Sequence, residues 1–154
     1  MSLSSGAIAV LPALTAPTAT DTPVAITQPL PREVRSADYM PITDPKNVEK
    51  FLKDYFADVP IMAKIGACES HYRQYNSSGA VLKGVKNTYD RGVMQINVLY
   101  HQEKADELGL DINNIDDNVA FARHLYEKFG TKPWNSSSAC WSKFSSPLSE
   151  IAKK

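Results

Sequence analysis

The chain has 154 residues, of which 43% are hydrophobic and 22% are charged, enough for a single core of ordinary size. Its 17 acidic residues balance its 17 basic ones, so the charge gives no support for a nucleic-acid-binding protein. No apolar run approaches the roughly 18 residues of a membrane-spanning helix. We therefore expect one small domain with no membrane span and no nucleic-acid partner.

Residues 1–43 differ in composition from the rest of the chain. Six of the ten prolines fall there, among Ala, Thr and Ser, and no helical or strand periodicity survives them. We predict a disordered tail or linker. Residues 7–14 are similar to the end of a secretory apolar segment, but no Lys or Arg precedes them and Pro12 interrupts them. We expect a signal peptide to be absent or already removed.

Folded structure is predicted to begin at Asp44, because an aspartate followed by proline is typical of a helix start. The apolar residues that follow recur with helical spacing and predict a stripe that faces the core: Val48, Phe51, Leu52, Tyr55 and Phe56. A second helix is predicted over residues 60–69. We place one domain over residues 44–144 and a C-terminal tail over residues 145–154.

Turn-forming residues divide the next stretch into short apolar runs, which predicts a small β-hairpin over roughly residues 76–87, between the Glu-Ser pair and Asp90. Two further helices are expected. One starts near Val98 and stops at Gly109, and the other starts near Asp116 and stops at Gly130, with each glycine at a helix C-terminus. The predicted fold class is α+β, mostly helical, with one small hairpin.

Glu69 is the first candidate for chemistry. It follows Ile61 and Ile65 at four-residue intervals, so it lies on the apolar face of its own helix. Burial disfavours a charged carboxylate and raises its pKa, as a general acid at neutral pH requires. The alternative interpretation is a glutamate at a helix end that simply reaches solvent.

Two motifs then resemble those of known glycan-cleaving enzymes. The Gly-Val-Met-Gln run at residues 92–95 resembles the Gly-Leu-Met-Gln motif of soluble lytic transglycosylases, whose catalytic acid lies in a Glu-Ser pair. That pair is Glu69-Ser70 in this chain. The longer stretch over residues 90–97 is similar to the Asp-x-Gly-Ile-Leu-Gln-Ile-Asn sequence of animal-type lysozymes and of invasion- and secretion-associated transglycosylases.

A third segment, residues 118–126, is similar to the Asn-Ile-x-x-Gly-x-x-Tyr-Leu helix of the same family. Ala122 replaces the glycine, and the last two residues are exchanged. The resemblance covers roughly residues 47–141. It implies a lysozyme-like domain that cleaves the β-1,4 bond between N-acetylmuramic acid and N-acetylglucosamine in peptidoglycan. It implies no cofactor, and we expect an exported monomer in the periplasm, the cell wall or the medium.

The resemblance implies that Glu69 acts first as acid and then as base, which forms a 1,6-anhydromuramic product without net hydrolysis. Met94 follows the transglycosylase motif where the animal lysozymes have leucine, so we expect this product. Asp90, however, occupies the motif position of the second lysozyme carboxylate. A hydrolytic lysozyme that uses both Glu69 and Asp90 therefore stays open.

Five further residues are candidates for substrate binding. The resemblance implies that Gln95 offers its amide to a sugar, although a hydrogen bond to the hairpin backbone is the alternative. Met94 would contact the sugar or pack in the core. Tyr126 is similar to the family's tyrosine near the catalytic acid, and Ser70 completes the Glu-Ser pair. Trp134 would stack on a sugar face or pack in the core.

The chain has two cysteines, Cys68 and Cys140. If the protein is exported, as its resemblance implies, we expect them to form a disulfide. Such a bridge would stabilise the fold by roughly 4 kcal/mol by restricting the unfolded chain. Two buried thiols in a reducing compartment are the alternative.

Two other functions remain open at this stage. A cysteine hydrolase would use Cys68 with His101 or His124, but neither histidine lies in a recognisable partner motif. A non-catalytic glycan-binding domain is the second alternative, and an intact Glu69 argues against it.

The cysteines and histidines do not reproduce a recognised zinc spacing. We also expect Asn97 to cap the helix that follows it rather than to bind sugar.

Overall fold

The computed structural model describes residues 33–144 of the chain. The helices and strands within that range are α1 (Pro45–Tyr55), α2 (Pro60–Ser70), β1 (Asp90–Arg91), β2 (Ile96–Asn97), α3 (Val98–Glu107), α4 (Ile115–Phe129) and α5 (Ser138–Trp141). Three short 3-10 helices cover Ser36–Tyr39, Lys132–Ser137 and Ser142–Phe144. The described part is mostly helical with a small antiparallel sheet, in agreement with the predicted α+β class. Residues 1–32 of the predicted tail over 1–43, and the predicted tail over 145–154, lie outside the described residues.

Helix α1 forms as its sequence predicts. The Asp44 carboxylate accepts a hydrogen bond from the Lys46 amide at 2.9 Å, which caps the helix start. Four residues of the predicted stripe are fully buried: Val48, Phe51, Leu52 and Phe56. Helix α1 packs closely on α2 because α2 carries Gly66, where a Cβ atom would lie 2.5 Å from the Leu52 side chain.

The segment before α1 also packs on this core. The backbone amide and hydroxyl of Ser36 donate hydrogen bonds to the Asp116 carboxylate at 2.7 and 2.6 Å. The Tyr39 ring lies 5.6 Å from the ring of Phe51. Residues 33–43 were assigned to the tail from their composition. Their order comes from isolated side-chain contacts, which leave no periodic pattern in the sequence.

The sheet lies around the Gly-Val-Met-Gln motif itself. In the two antiparallel strands, Asp90 pairs with Asn97 and Arg91 pairs with Ile96, so residues 92–95 form the turn between them. This position is later in the chain than the predicted hairpin.

The stretch predicted to form the hairpin contributes only two isolated bridges, Tyr75 with Val81 and Lys83 with Arg91. Backbone hydrogen bonds also pair parts of this stretch, from the Asn76 amide to the Ala80 carbonyl at 2.8 Å and from the Leu82 amide to the Gln74 carbonyl at 2.9 Å. Side chains add to them. The Asn76 side-chain oxygen, for example, accepts hydrogen bonds from backbone amides of the following turn at 2.9 and 3.0 Å.

Helices α3 and α4 complete the scaffold. Asn97 caps α3 by accepting a hydrogen bond from the Leu99 amide at 3.1 Å, as predicted. Asn114 caps α4, which therefore starts one residue earlier than predicted. Gly109 and Gly130 follow the two helices with φ angles of 68° and 61°, which agrees with their predicted terminating role. Within residues 33–144, none of these helices has the length and apolar character needed to cross a bilayer.

Candidate active site

Two buried amide side chains hold the turn at residues 92–95 through hydrogen bonds to its backbone. The first is Gln74, which is fully buried. Its oxygen accepts a hydrogen bond from the Val93 amide at 2.8 Å, and its nitrogen donates to the Asn113 carbonyl at 2.9 Å. This side chain therefore links the motif to the loop before α4.

The second amide is Asn118, also fully buried. Its oxygen accepts a hydrogen bond from the Met94 amide at 3.0 Å, and its nitrogen donates to the carbonyls of Arg91 and Ile112 at 3.1 and 2.9 Å. The motif at residues 92–95 therefore contacts the segment at residues 118–126, because the Asn118 side chain binds the backbone of the motif.

Gly92 is required by this arrangement. Its φ angle is 68°, and a Cβ atom would lie 2.4 Å from the Gln74 oxygen and 2.7 Å from the Asn118 nitrogen. A side chain would therefore meet both steric overlap and a strained backbone. The two amides and the glycine together fix the backbone of the motif.

Glu69 lies one residue before the end of α2, where the chain turns through a left-handed residue, His71, with a φ angle of 54°. The glutamate is half-buried, and its Oε1 accepts a hydrogen bond from the Ser137 hydroxyl at 2.5 Å. Burial raises the pKa of Glu69, the hydrogen bond from Ser137 opposes that rise, and the negative charge of Asp90 adds to it. The raised pKa agrees with the expectation from its position on the apolar face.

Glu69 borders two neighbouring cavities of about 530 and 270 Å³. Five residues line both of them: Glu69, Asn87, Asp90, Gln95 and Ser136. We call the two cavities together the cleft. The larger cavity also contacts the loop at residues 84–86, and the smaller one contacts α3 through Tyr100 and His101. The cleft therefore extends to both sides of the glutamate.

Asp90 lies in the same cleft. Its Oδ1 accepts hydrogen bonds from the side-chain amides of Asn97 at 2.7 Å and Asn87 at 3.2 Å. The two donors orient the carboxylate and join β1 to β2 and to the preceding loop. The structure therefore brings both predicted carboxylates, Glu69 and Asp90, to one cleft.

Gln95 also lines the cleft, on a backbone with a φ angle of 49°. A non-glycine residue in this region is uncommon and is often found at functional sites. Its side-chain nitrogen donates a hydrogen bond to the Gly92 carbonyl at 2.8 Å. The backbone bond weighed as the alternative is thus present, and contact with a sugar stays a prediction.

Three other candidates, Met94, Ser70 and Tyr126, are not among the residues that line the cleft. Met94 is fully buried in the core, where its sulfur packs towards Gly66, so the structure favours the core interpretation over sugar contact. Ser70 is buried, and its hydroxyl donates to the Gly66 carbonyl at 3.0 Å while accepting from the Arg73 amide at 3.1 Å. It caps the helix end and is not among the residues that line the cleft.

Tyr126 packs against the hydrophobic core, whereas Leu125 lines the smaller cavity. In the family helix that this segment resembles, tyrosine comes before leucine, whereas here Leu125 comes before Tyr126. This reversed order explains why the tyrosine does not line the cavity. Neighbouring residues on a helix point about 100° apart, so the exchange turns the tyrosine away and gives the cleft a leucine.

Trp134 packs in the core, as one of the two sequence interpretations predicts, and stacking on a sugar stays a prediction. It is only 3% exposed, and its indole nitrogen donates to the Met94 carbonyl at 2.9 Å. It nevertheless forms part of the wall of the smaller cavity. Its carbonyl in turn accepts a hydrogen bond from the indole of Trp141 at 2.9 Å.

The disulfide between Cys68 and Cys140 is present, across 72 residues of sequence, and confirms the predicted pairing. Because Cys68 is bonded, it offers no thiol for the alternative of a cysteine hydrolase. No group of three or more His, Cys, Asp or Glu side chains within residues 33–144 is placed to hold a metal ion.

Sequence reasoning missed Ser137, the hydrogen-bond partner of Glu69. It lies in a Ser-rich stretch with no motif of its own. The one available signal was Cys140, three residues later, because its predicted partner Cys68 precedes Glu69.

Comparison of the chain with protein families, with curated proteins and with solved structures found no match.

Proposed function

We propose that this protein is a peptidoglycan-cleaving lytic transglycosylase with Glu69 as its general acid and base. The observation that supports the proposal most is the position of Glu69, a half-buried carboxyl group with a raised pKa that borders both cavities of an open cleft. A raised pKa favours the protonated form of this carboxyl group, as protonation of a glycosidic oxygen requires.

In the proposed reaction, Glu69 donates its proton to the oxygen that leaves the anomeric carbon of the muramic acid residue. The resulting carboxylate then removes the proton from the 6-hydroxyl of the same sugar. That oxygen bonds to the anomeric carbon and closes the 1,6-anhydro ring. One C–O bond breaks and one forms, the proton returns to Glu69, and no water is consumed.

A hydrolytic lysozyme is the second candidate, and Asp90 is the specific reason to keep it. Its carboxylate lies in the cleft, is held by two amides and is close enough for its charge to raise the pKa of Glu69. In retaining glycosidases a second carboxylate in this role attacks the sugar, and water then releases the product.

Mass spectrometry of digested peptidoglycan in ¹⁸O-labelled water separates the candidates. The proposal expects muropeptides that end in 1,6-anhydromuramic acid, about 18 mass units lighter than hydrolysed products and free of solvent oxygen. Reducing ends that carry ¹⁸O would favour the hydrolytic lysozyme. Binding of glycan strands without any cleavage would instead favour the non-catalytic glycan-binding domain.

The proposal includes an exported location, because peptidoglycan lies outside the cytoplasm. The disulfide is compatible with that location, since such bonds persist mainly in oxidising compartments. The proposed partner is a peptidoglycan glycan strand, bound by a monomer without a cofactor.

A further inference from the structure

Ser137 is the only residue within 33–144 that contributes a hydrogen bond to the carboxyl group of Glu69. It ends the 3-10 helix Lys132–Ser137, and α5 follows directly. Its Oγ lies 2.5 Å from Glu69 Oε1 and 3.1 Å from the Trp134 carbonyl oxygen. A serine hydroxyl carries a single proton, so it cannot make a full hydrogen bond to both acceptors at once.

The surroundings indicate which acceptor receives that proton. The Trp134 carbonyl already accepts a hydrogen bond from the Trp141 indole at 2.9 Å, so it does not depend on Ser137. In the ionised state that the base step requires, the Glu69 carboxylate is the stronger acceptor, because charge-assisted bonds are the stronger and shorter ones. The shorter of the two distances is the one to Glu69.

We propose that Ser137 is a positioning residue for Glu69: its hydroxyl occupies Oε1 and leaves Oε2 as the oxygen that exchanges a proton with the substrate. This inference rests on the proposed function. In the base step, Ser137 donates to the carboxylate. In the acid step, the proton sits on Oε2 and Ser137 donates to Oε1. The carboxyl group therefore keeps one orientation in both steps.

The disulfide should keep Ser137 beside Glu69 when the Ser137 side chain is substituted. Cys140 lies three residues after Ser137, and its partner Cys68 precedes Glu69, so a covalent bond holds the two backbones together. Removing the hydroxyl should therefore change the electrostatics of Glu69 more than the position of either segment.

Other charged or titratable groups also face the cleft and contribute to its pH dependence. Asp90 lies on β1, Lys86 on the loop before it, and Tyr100 and His101 on α3. Substitution at Ser137 leaves all four unchanged. A difference between matched variants therefore reports the hydrogen bond to Glu69.

The test is a ¹³C NMR titration of the Glu69 side-chain carboxyl, assigned from the signal that disappears in Glu69→Gln. Loss of a donor to the carboxylate should raise the pKa of Glu69 by about 0.5 to 1 in Ser137→Ala. Ser137→Thr keeps the hydroxyl and should retain the wild-type pKa. Ser138→Ala is the control, because within the described residues its hydroxyl makes no hydrogen bond. Ser137→Gly removes the same hydroxyl and replaces the alanine variant if that one fails to fold.

Glycan cleavage by the same variants gives the second readout. In Ser137→Ala, kcat should fall about tenfold with little change in KM, and the alkaline limb of the pH profile should move to higher pH. A purely structural role would lower thermal stability and leave that limb in place. An unchanged Glu69 pKa in both the alanine and glycine variants overturns the proposal for Ser137. A wild-type protein that cleaves no glycan overturns the proposed function instead, and the titration still measures the hydrogen bond.

Discussion

Two kinds of polar side chain surround the motif at residues 92–95: a pair of buried amides and a single half-buried carboxyl group. Gln74 and Asn118 are neutral and fully buried, and both ends of each amide are hydrogen-bonded. Glu69 is ionisable and half-buried, has a single hydrogen bond within residues 33–144, and borders the cleft.

The difference separates a stabilising role from a chemical one. A buried neutral amide with both ends satisfied fixes the surrounding backbone and has no group left to react. A carboxyl group that is partly removed from water and incompletely hydrogen-bonded is less stable where it lies, and it is therefore available for proton transfer. The two amides shape the motif, and under the proposed function Glu69 acts in the cleft that the motif borders.

The largest expected effect on chemistry follows from Glu69→Gln, which should lower lytic activity by about 10³-fold, because the amide cannot deliver a proton. The burial that raises the pKa of Glu69 stabilises its protonated form. That stabilisation is present below the unfolded-state pKa of glutamate and is lost as the pH rises through the folded-state pKa. The variant should therefore unfold at the same temperature as the wild type, or slightly above it, near neutral pH.

Turbidity loss of a cell-wall suspension measures the activity, and thermal unfolding monitored by circular dichroism measures the stability. Glu107→Gln is the control, because this exposed glutamate pairs only with a surface lysine in the described structure. A Glu69→Gln variant that retained more than about a tenth of the wild-type rate would remove Glu69 from the mechanism.

Reduction of the Cys68–Cys140 disulfide should be the largest change in stability. In the chain-entropy treatment, a bridge across 72 residues contributes roughly 4 kcal/mol to the free energy of unfolding. Activity should fall as well, because the bridge holds the Ser137 segment beside Glu69. Urea unfolding with and without reductant measures the loss, and a Cys68→Ser, Cys140→Ser double variant is the matched form. Two freely alkylated thiols in the native, air-exposed protein would contradict the prediction.

Asn118→Ala tests the stabilising pair. It leaves the buried Met94 amide and two carbonyls without their partner and opens a small cavity, so we expect a loss of about 3 kcal/mol in urea unfolding. Asn47→Ala is the matched control, since that asparagine makes one surface hydrogen bond and should cost less than about 0.5 kcal/mol. Equal costs for the two variants would show that the buried amide does not support the motif.

The smallest expected effect is that of Asp90→Asn, a loss of about tenfold in activity. Asparagine keeps an oxygen that can accept the amides of Asn87 and Asn97, so the hairpin should remain intact. Under the proposed mechanism Asp90 only tunes charge and order in the cleft. Kinetics on isolated glycan strands measure the loss. A collapse of activity comparable to that of Glu69→Gln would assign Asp90 a direct role and favour the hydrolytic lysozyme.

The sequence predicted the regular parts of the fold well, because those parts obey local rules. The stripe of α1, the Asp44 and Asn97 caps, and the glycines after α3 and α4 all depend on neighbours within one or two turns. The hairpin was placed too early in the chain. The position of the regular strands depends on which backbone groups pair across a distance, and the stretch before Asp90 pairs only through isolated bridges and single backbone hydrogen bonds.

The candidate site divides in the same way. A short motif and helical spacing were sufficient to single out Glu69, Asp90 and Gln95, because chemistry demands particular residue types at particular spacings. The packing of Met94 in the core and the turning of Tyr126 from the cleft required the structure, since residue identity does not determine which face of an element meets a cavity.

What the sequence determined by itself is therefore the four longer helices, the pair of cysteines and an acidic residue on the apolar face of its helix. Only the tertiary structure decided that Ser137 would reach Glu69 and that Gln74 and Asn118 would enclose Gly92. These contacts join residues 18 to 68 positions apart in the chain. Their geometry is set by the packing of whole helices and by a disulfide, and no local pattern encodes it.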